Sequence, residues 1–396
     1  MYRYVWYVCT RTQKLGVISL GRSVGGRTFT LYLGRLGIPY TANRAMSILD
    51  FPRWETLGSL SINRFPRISY RTSARGGAPA PSARLTPSDV LLRRDELILL
   101  VHGYKVTEEQ AFNAYKCFLD KLGDPWVEMA TAVFWPGDSW ARKPRREEGW
   151  SYWFTSVASY PFQPKRARQV GEMLAECLSD SVDNRKRVAF AKAELLAQAE
   201  GLARPDFRDT TAPVLTLHII AHSMGCRLAI ELLHYLRHNL RSPGYQRDEV
   251  NSAVAKPIQV KLVVLMAPAV PNYLVGEVGE RKAALKFAER VRVRRSTRDL
   301  VLAAAFPAGQ IFESDEPRIP FSGQRSALGR TGPLTGDLTE DEGHGHGKYW
   351  TSATIPASVA RDLADFHPER VAGAAQERAL PAPRRSPERA VQTRSL

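Results

Sequence analysis

The sequence predicts an α/β protein, a mostly parallel twisted sheet with helices on both faces. Three observations predict it. Apolar runs of strand length recur at 96–101, 131–135, 214–220 and 256–266; such runs suit parallel strands covered on both sides. Helical patterns separate them, and alternation of this kind builds parallel sheets. Polar or small-residue turns follow the runs: His102-Gly103-Tyr104, Ser223, Ala267-Pro268 and, after a further strand, Asp299. In open parallel sheets the chemistry lies at those carboxyl ends.

The elements follow in order. Residues 1–85 hold short β-prone runs at 2–8 and 27–33, broken by glycines, and the stretch 32–40 (Y-L-G-R-L-G-I-P-Y) suits a strand with a proline-limited edge. We expect edge strands and loops there, with a basic, partly disordered extension as the alternative. Residues 76–89 (G-G-A-P-A-P-S-A-R-L-T-P-S-D) read as a linker, which sets a core domain at 86–370. Within it, 96–101 (E-L-I-L-L-V) is a central strand. Thr107 then caps a helix carrying Ala111, Ala114, Tyr115 and Phe118 on one face. After the 131–135 strand, residues 138–163 are rich in Trp, Tyr and Phe, a composition that serves a lid, an acyl-pocket wall or a buried covering segment equally. Two helices are expected at 164–178 and 185–202, a strand at 256–266, a short helix at 278–289, a strand at 291–293 and a last helix at 357–366. Residues 371–396 have the composition of a disordered basic tail.

Charge is uneven. The chain of 396 residues carries 56 Lys and Arg against 40 Asp and Glu, a net +16. Residues 1–85 hold thirteen basic and two acidic residues, and residues 371–396 hold five and two, which leaves the core nearly neutral. Basic flanks attract nucleic acid or an anionic membrane surface. No recognition motif points to a specific nucleic-acid reader. Cys9, Cys117, Cys177 and Cys226 lie far apart without C-x-x-C pairing, as expected of reduced thiols in a cytoplasmic protein. No apolar run reaches eighteen residues, and no signal-peptide core is evident. Nothing in the sequence specifies an oligomeric state.

The stretch 214–233 organises the chain. An apolar run with β-branched residues leads into A-H-S-M-G, and Leu228, Leu232 and Leu236 follow at helical spacing. A strand, a tight small-residue turn and a helix are the context that exposes a serine hydroxyl above a sheet. Residues two before and two after Ser223 must be small, and Ala221 and Gly225 are. The stretch resembles the nucleophile elbow of the α/β-hydrolase superfamily. The closest resemblance is to a group of bacterial single-domain hydrolases with V-H-G-[YF] upstream and A-H-S-M-G at the elbow. This chain has Ala221 where the superfamily has its first glycine. The resemblance spans about residues 92–366 and is faint before them.

That resemblance implies an α/β-hydrolase fold and a relay in the chain order Ser, acid, His. Ser223 is the nucleophile. Asp299, just past the strand V-R-V-R-R, is the acid, with Glu313, Asp315 and Glu316 in reserve; a helix-capping or surface role for Asp299 is the alternative. The base lies in D-E-G-H-G-H-G-K-Y-W, 341–350. His346 best fits the family's His-x-x-aromatic spacing, with His344 as the alternative and metal binding by H-G-H a weaker third reading. The backbone amides of Met224 and Tyr104 are the expected oxyanion donors, with Gly103 permitting close approach. His102 and His222 are expected to orient loops. The implied activity is hydrolysis of a small-molecule carboxylic ester through an acyl-enzyme, with no metal, nucleotide or other cofactor. A non-enzymatic module that engages a partner or an anionic surface through the basic flanks is the competing expectation.

Overall fold

A computed structural model describes residues 19–22, 28–32, 39–43, 65–72, 78–138, 162–200, 203, 205–206, 214–239, 257–276, 281–307, 326–332 and 339–370. The 2–8 run, most of the aromatic stretch at 138–163, Glu313, Asp315, Glu316 and the 371–396 tail lie outside those residues.

Strands β1 (Ser19–Arg22), β2 (Thr28–Tyr32) and β3 (Pro39–Asn43) form a three-stranded antiparallel sheet in that order. Pro39 opens an edge strand, where its missing N–H is tolerated.

The main sheet has eight strands, β4 (Arg67–Arg71), β5 (Pro79–Thr86), β6 (Glu96–Val101), β7 (Ala130–Phe134), β8 (Leu215–His222), β9 (Ile258–Met266), β10 (Ala288–Arg295) and β11 (Thr339–Asp341). Their order is β11-β10-β9-β8-β6-β7-β4-β5, and every pairing is parallel except β4 with β5. The architecture is therefore α/β with a mostly parallel sheet. From β6 the chain crosses to β7 on one side and later returns to β8 on the other. The crevice at such a reversal opens beyond the carboxyl ends of β6 and β8.

Two expectations about the early chain are corrected. Residues 76–89 are not all linker, because Pro79–Thr86 pairs with β4. The strand lies at the sheet edge, so its prolines break no central ladder. Strands β4 and β5 also carry the sheet back across position 85, where composition had suggested a boundary.

Helix α1 spans Val90–Arg93 and α2 spans Glu108–Leu122. Thr107 and Gln110 form a reciprocal capping box at the start of α2, and Gly123 at φ 76° ends it. Helix α2 buries Ala111, Phe112, Tyr115, Phe118, Leu119 and Leu122. Helix α3 runs unbroken over Gln163–Ala199, where two helices were expected. The intervening S-D-S-V-D-N contains neither Gly nor Pro, so nothing terminates it. Its buried residues end at Arg185, which reaches back to the Arg94 carbonyl and Asp95. Helix α3 packs closely on α4 (Met224–Asn239). At Gly171 a Cβ would lie 2.8 Å from Glu231 Cβ.

Part of the expected helix at 278–289 lies outside the described residues; within the rest, α6 spans Lys282–Leu285, after α5 (Asn272–Val275), and β10 begins at Ala288. A π-helical turn follows at Val301–Ala305, then α7 (Leu328–Thr331) and α8 (Thr354–Phe366). The short strand β11 was not anticipated; three residues carry too little pattern to read. The central strands are buried almost throughout. No helix among the described residues is long and apolar enough to cross a membrane.

Candidate active site

Ser223 occupies the single residue between β8 and α4, at φ 55°. A non-glycine side chain in left-handed backbone is strained and persists only where its surroundings hold it. Here the Ser223 amide donates to the Met266 carbonyl at 2.8 Å, and the Ser223 carbonyl accepts from the Cys226 and Ala269 amides at 3.0 and 3.2 Å. The turn is thus tied to its own helix and to the end of β9.

The close approaches explain the small residues. A Cβ at Gly225 would lie 2.4 Å from the His102 carbonyl oxygen and 2.7 Å from that of Val101. Both are backbone atoms and cannot yield. A Cβ at Gly103 would lie 2.8 Å from Ser223 Cβ. The loop after β6 therefore rests directly on the serine. Ala221 is fully buried within β8.

His346 lies at the start of a 3₁₀ turn, His346–Thr351. Its Nδ1 is 2.7 Å from Asp299 Oδ2 and its Nε2 is 2.8 Å from Ser223 Oγ. Donation from Nδ1–H to the carboxylate leaves the Nε2 lone pair facing the hydroxyl. Asp299 is fully buried, follows β10, and accepts the Leu302 amide at 3.0 Å through Oδ1. One carboxylate oxygen thus meets the imidazole and the other caps the turn that follows. His344 takes another course. Its ring stacks edge-on against Tyr349 at 4.5 Å, and its Nε2 is 4.0 Å from Glu342. The structure brings Ser223, His346 and Asp299 together and leaves His344 outside the chain of hydrogen bonds.

The loop that presents His346 is held by apolar anchors that the sequence reading missed. Tyr349 and Trp350 are buried, and Trp350 meets Tyr115 and Phe118 of α2 edge-on at 5.0 and 5.4 Å. The glycine-rich composition before them hid this packing. The aromatic pair just after the histidine was the available signal.

The two other histidines are neutral supports. Burial drives His222 down to about 3 and His102 down to about 4. Neutral His222 donates from Nε2 to the His346 carbonyl at 2.9 Å. His102 donates from Nδ1 to the Gly103 carbonyl at 2.9 Å and accepts the Trp135 amide at Nε2, 3.3 Å away. The Trp135 indole donates to the His102 carbonyl at 2.8 Å. These bonds shape the loop bearing Tyr104, whose neighbour Lys105 sits at φ 61° with its amide on the Gly137 carbonyl.

Met224 begins α4, and the first amides of a helix have no intrahelical acceptor. Tyr104 follows Gly103 in the loop against Ser223. Chemically, the arrangement offers a hydroxyl, a base positioned to take its proton, a buried carboxylate to orient and stabilise that base, and a helix N-terminus beside them. No protein-family model, curated protein or solved structure matches the chain.

Proposed function

We propose that the protein is a serine hydrolase with an α/β-hydrolase fold that cleaves a small-molecule carboxylic ester. The observation that carries this reading is the continuous chain from Ser223 Oγ through His346 to buried Asp299, at 2.8 and 2.7 Å, starting from a serine in left-handed backbone.

Ser223 Oγ attacks the ester carbonyl carbon while its proton passes to His346 Nε2. Asp299 holds the imidazole in the required tautomer and stabilises the imidazolium. The carbonyl oxygen becomes an oxyanion, received by the amides of Met224 and Tyr104. Loss of one such donor raises the barrier by about 3 kcal/mol. Collapse of the tetrahedral species breaks the bond to the leaving alcohol, which takes the proton from His346. The acyl group remains on Ser223. Water, deprotonated by His346, attacks that acyl-enzyme and releases the acid through the same steps in reverse.

A fluorophosphonate probe tests the reading directly. The wild type becomes labelled, and Ser223→Ala does not. A series of p-nitrophenyl esters of increasing acyl length then reads the depth of the acyl pocket. Failure of folded wild type to label or turn over any ester overturns the proposal. It would favour a binding module acting through its basic flanks.

A further inference from the structure

At the other end of the same strands lies a second cluster of side chains that the hydrolytic machinery does not use. Glu96 is the first residue of β6, His218 stands within β8, and His367 follows α8. The loop over Ser223 begins just after the six residues of β6 that Glu96 opens, roughly 20 Å along the strand. Glu96 Oε1 is 2.7 Å from His218 Nε2 and also meets His367 Nε2. One ligand atom from each of the three residues lies within 4.8 Å of the others. His218 is fully buried. The rings of Trp126 and Phe366 flank the cluster, at 6.1 Å from His367 and 6.0 Å from His218.

We infer that Glu96, His218 and His367 form a binding site for a divalent transition metal of the zinc class. Two imidazoles and one carboxylate are a donor set that zinc accepts, with water as a fourth ligand. Calcium and magnesium prefer oxygen ligands. His367 Nδ1 is 3.3 Å from Glu369 Oε1, the carboxylate partner that commonly orients a metal-binding histidine. His367 Nε2 meets the anionic oxygen of Glu96 as an ion pair, and a metal would take the place of the proton between them. Glu96 divides its oxygens, Oε1 to the histidines and Oε2 to Arg370 at 3.3 Å, so it can bind through one oxygen. Metal bonds of about 2.1 Å would spread the donor atoms to about 3.4 Å apart. The Glu96–His218 contact would lengthen from 2.7 Å by under about 1 Å to reach that spacing. The nearby Arg370 and Lys261 charges oppose a cation, although Lys261 is paired with Glu289. A metal here would staple the chain after α8 to β6 and β8.

The test is calorimetric titration of EDTA-stripped full-length chain with zinc chloride, with Co²⁺ absorption as a second readout. Wild type should bind roughly one zinc per chain at this site, with a rise in thermal midpoint, and Co²⁺ should give the spectrum of a tetrahedral site. His367→Gln, at a position past the last helix, should fold and bind zinc at least about tenfold more weakly. Glu96→Gln should do the same. The proposal is overturned if wild type binds no zinc at micromolar concentration. It is equally overturned if both variants bind as wild type does, which would place binding elsewhere, such as the His234–His238 pair on α4, whose rings are 4.4 Å apart.

Discussion

His222 Nε2 donates to the backbone carbonyl of His346 across 2.9 Å. The residue immediately before the strained serine therefore holds the loop that brings the base to it. Serine and imidazole come from positions 123 residues apart, and this bond sets their separation from the strand side. Replacing His222 by Phe removes the donor while keeping a ring against Tyr349. The expected result is a fall in kcat of up to about a hundredfold with little change in KM, since a displacement of about 1 Å is enough. Steady-state kinetics on a p-nitrophenyl ester checks it.

Asp299 divides its two oxygens between His346 and the Leu302 amide, so two substitutions separate its roles. Asp299→Asn can keep an oxygen for the Leu302 amide and lose the charged partner of the imidazole. Its kcat should drop by about 10⁴ with a near-normal melting temperature. Asp299→Ala should lose the same activity and a further ~1 kcal/mol of stability with the cap. Equal stability of the two variants would argue against the capping role.

His346→Ala should reduce esterase activity by at least about a thousandfold. His344→Ala, whose ring rests on Tyr349 rather than on Ser223, should retain activity within a few-fold. The reverse pattern in parallel assays would transfer the base role to His344.

The elbow should tolerate a smaller residue and reject a larger one. Gly225→Ala sets a methyl 2.4 Å from the His102 carbonyl. It should cost about 1–3 kcal/mol or more in urea unfolding and distort the serine turn. Ala221→Gly removes one methyl and should lose no more than about 1 kcal/mol.

Acid should unfold the protein through its buried histidines. His102 and His222 are depressed to about 4 and about 3 in the fold, against about 6.5 in an unfolded chain. Below about 6.5 the unfolded state binds protons that the folded state refuses. The stability they contribute is fully present above that pH and is lost as pH falls toward about 3. The contribution is on the order of 3 kcal/mol for His102 and about 5 kcal/mol for His222 across that window. Thermal melts between pH 7 and pH 4 should show the fall, with a shallower slope for His222→Gln. An unchanged slope in that variant would show that His222 is already protonated in the fold.

Local chemistry made much of this molecule legible in sequence. The apolar runs at 96–101 and 256–266 can be satisfied only inside a sheet covered on both faces, so the α/β class followed from burial alone. The demand for small residues around Ser223 follows from the sharpness of one turn, and A-H-S-M-G states it directly. Thr107 likewise announces its own helix, since a cap is a contact over three residues. Where the reading failed, the deciding interaction was distant. Pro79–Thr86 has the composition of a linker and is a strand only because β4 offers it an edge. Residues 278–289 have helical composition, but β9 recruits their last part into the sheet.

The sequence by itself determined the layered architecture, the strand–serine–helix turn and the chain order of Ser223, Asp299 and His346, because each depends on residues adjacent in the chain or on their repeat. Only the tertiary structure placed His346, and not His344, against Ser223 and Asp299. Both stand in the same glycine-rich loop, and the choice rests on Trp350 docking against Tyr115 and Phe118 and on His222 grasping one carbonyl. Tertiary structure alone also gathered Glu96, His218 and His367. Residues separated by more than a hundred positions leave no spacing to read, and only the pairing of β6 with β8 and the return of α8 set them face to face.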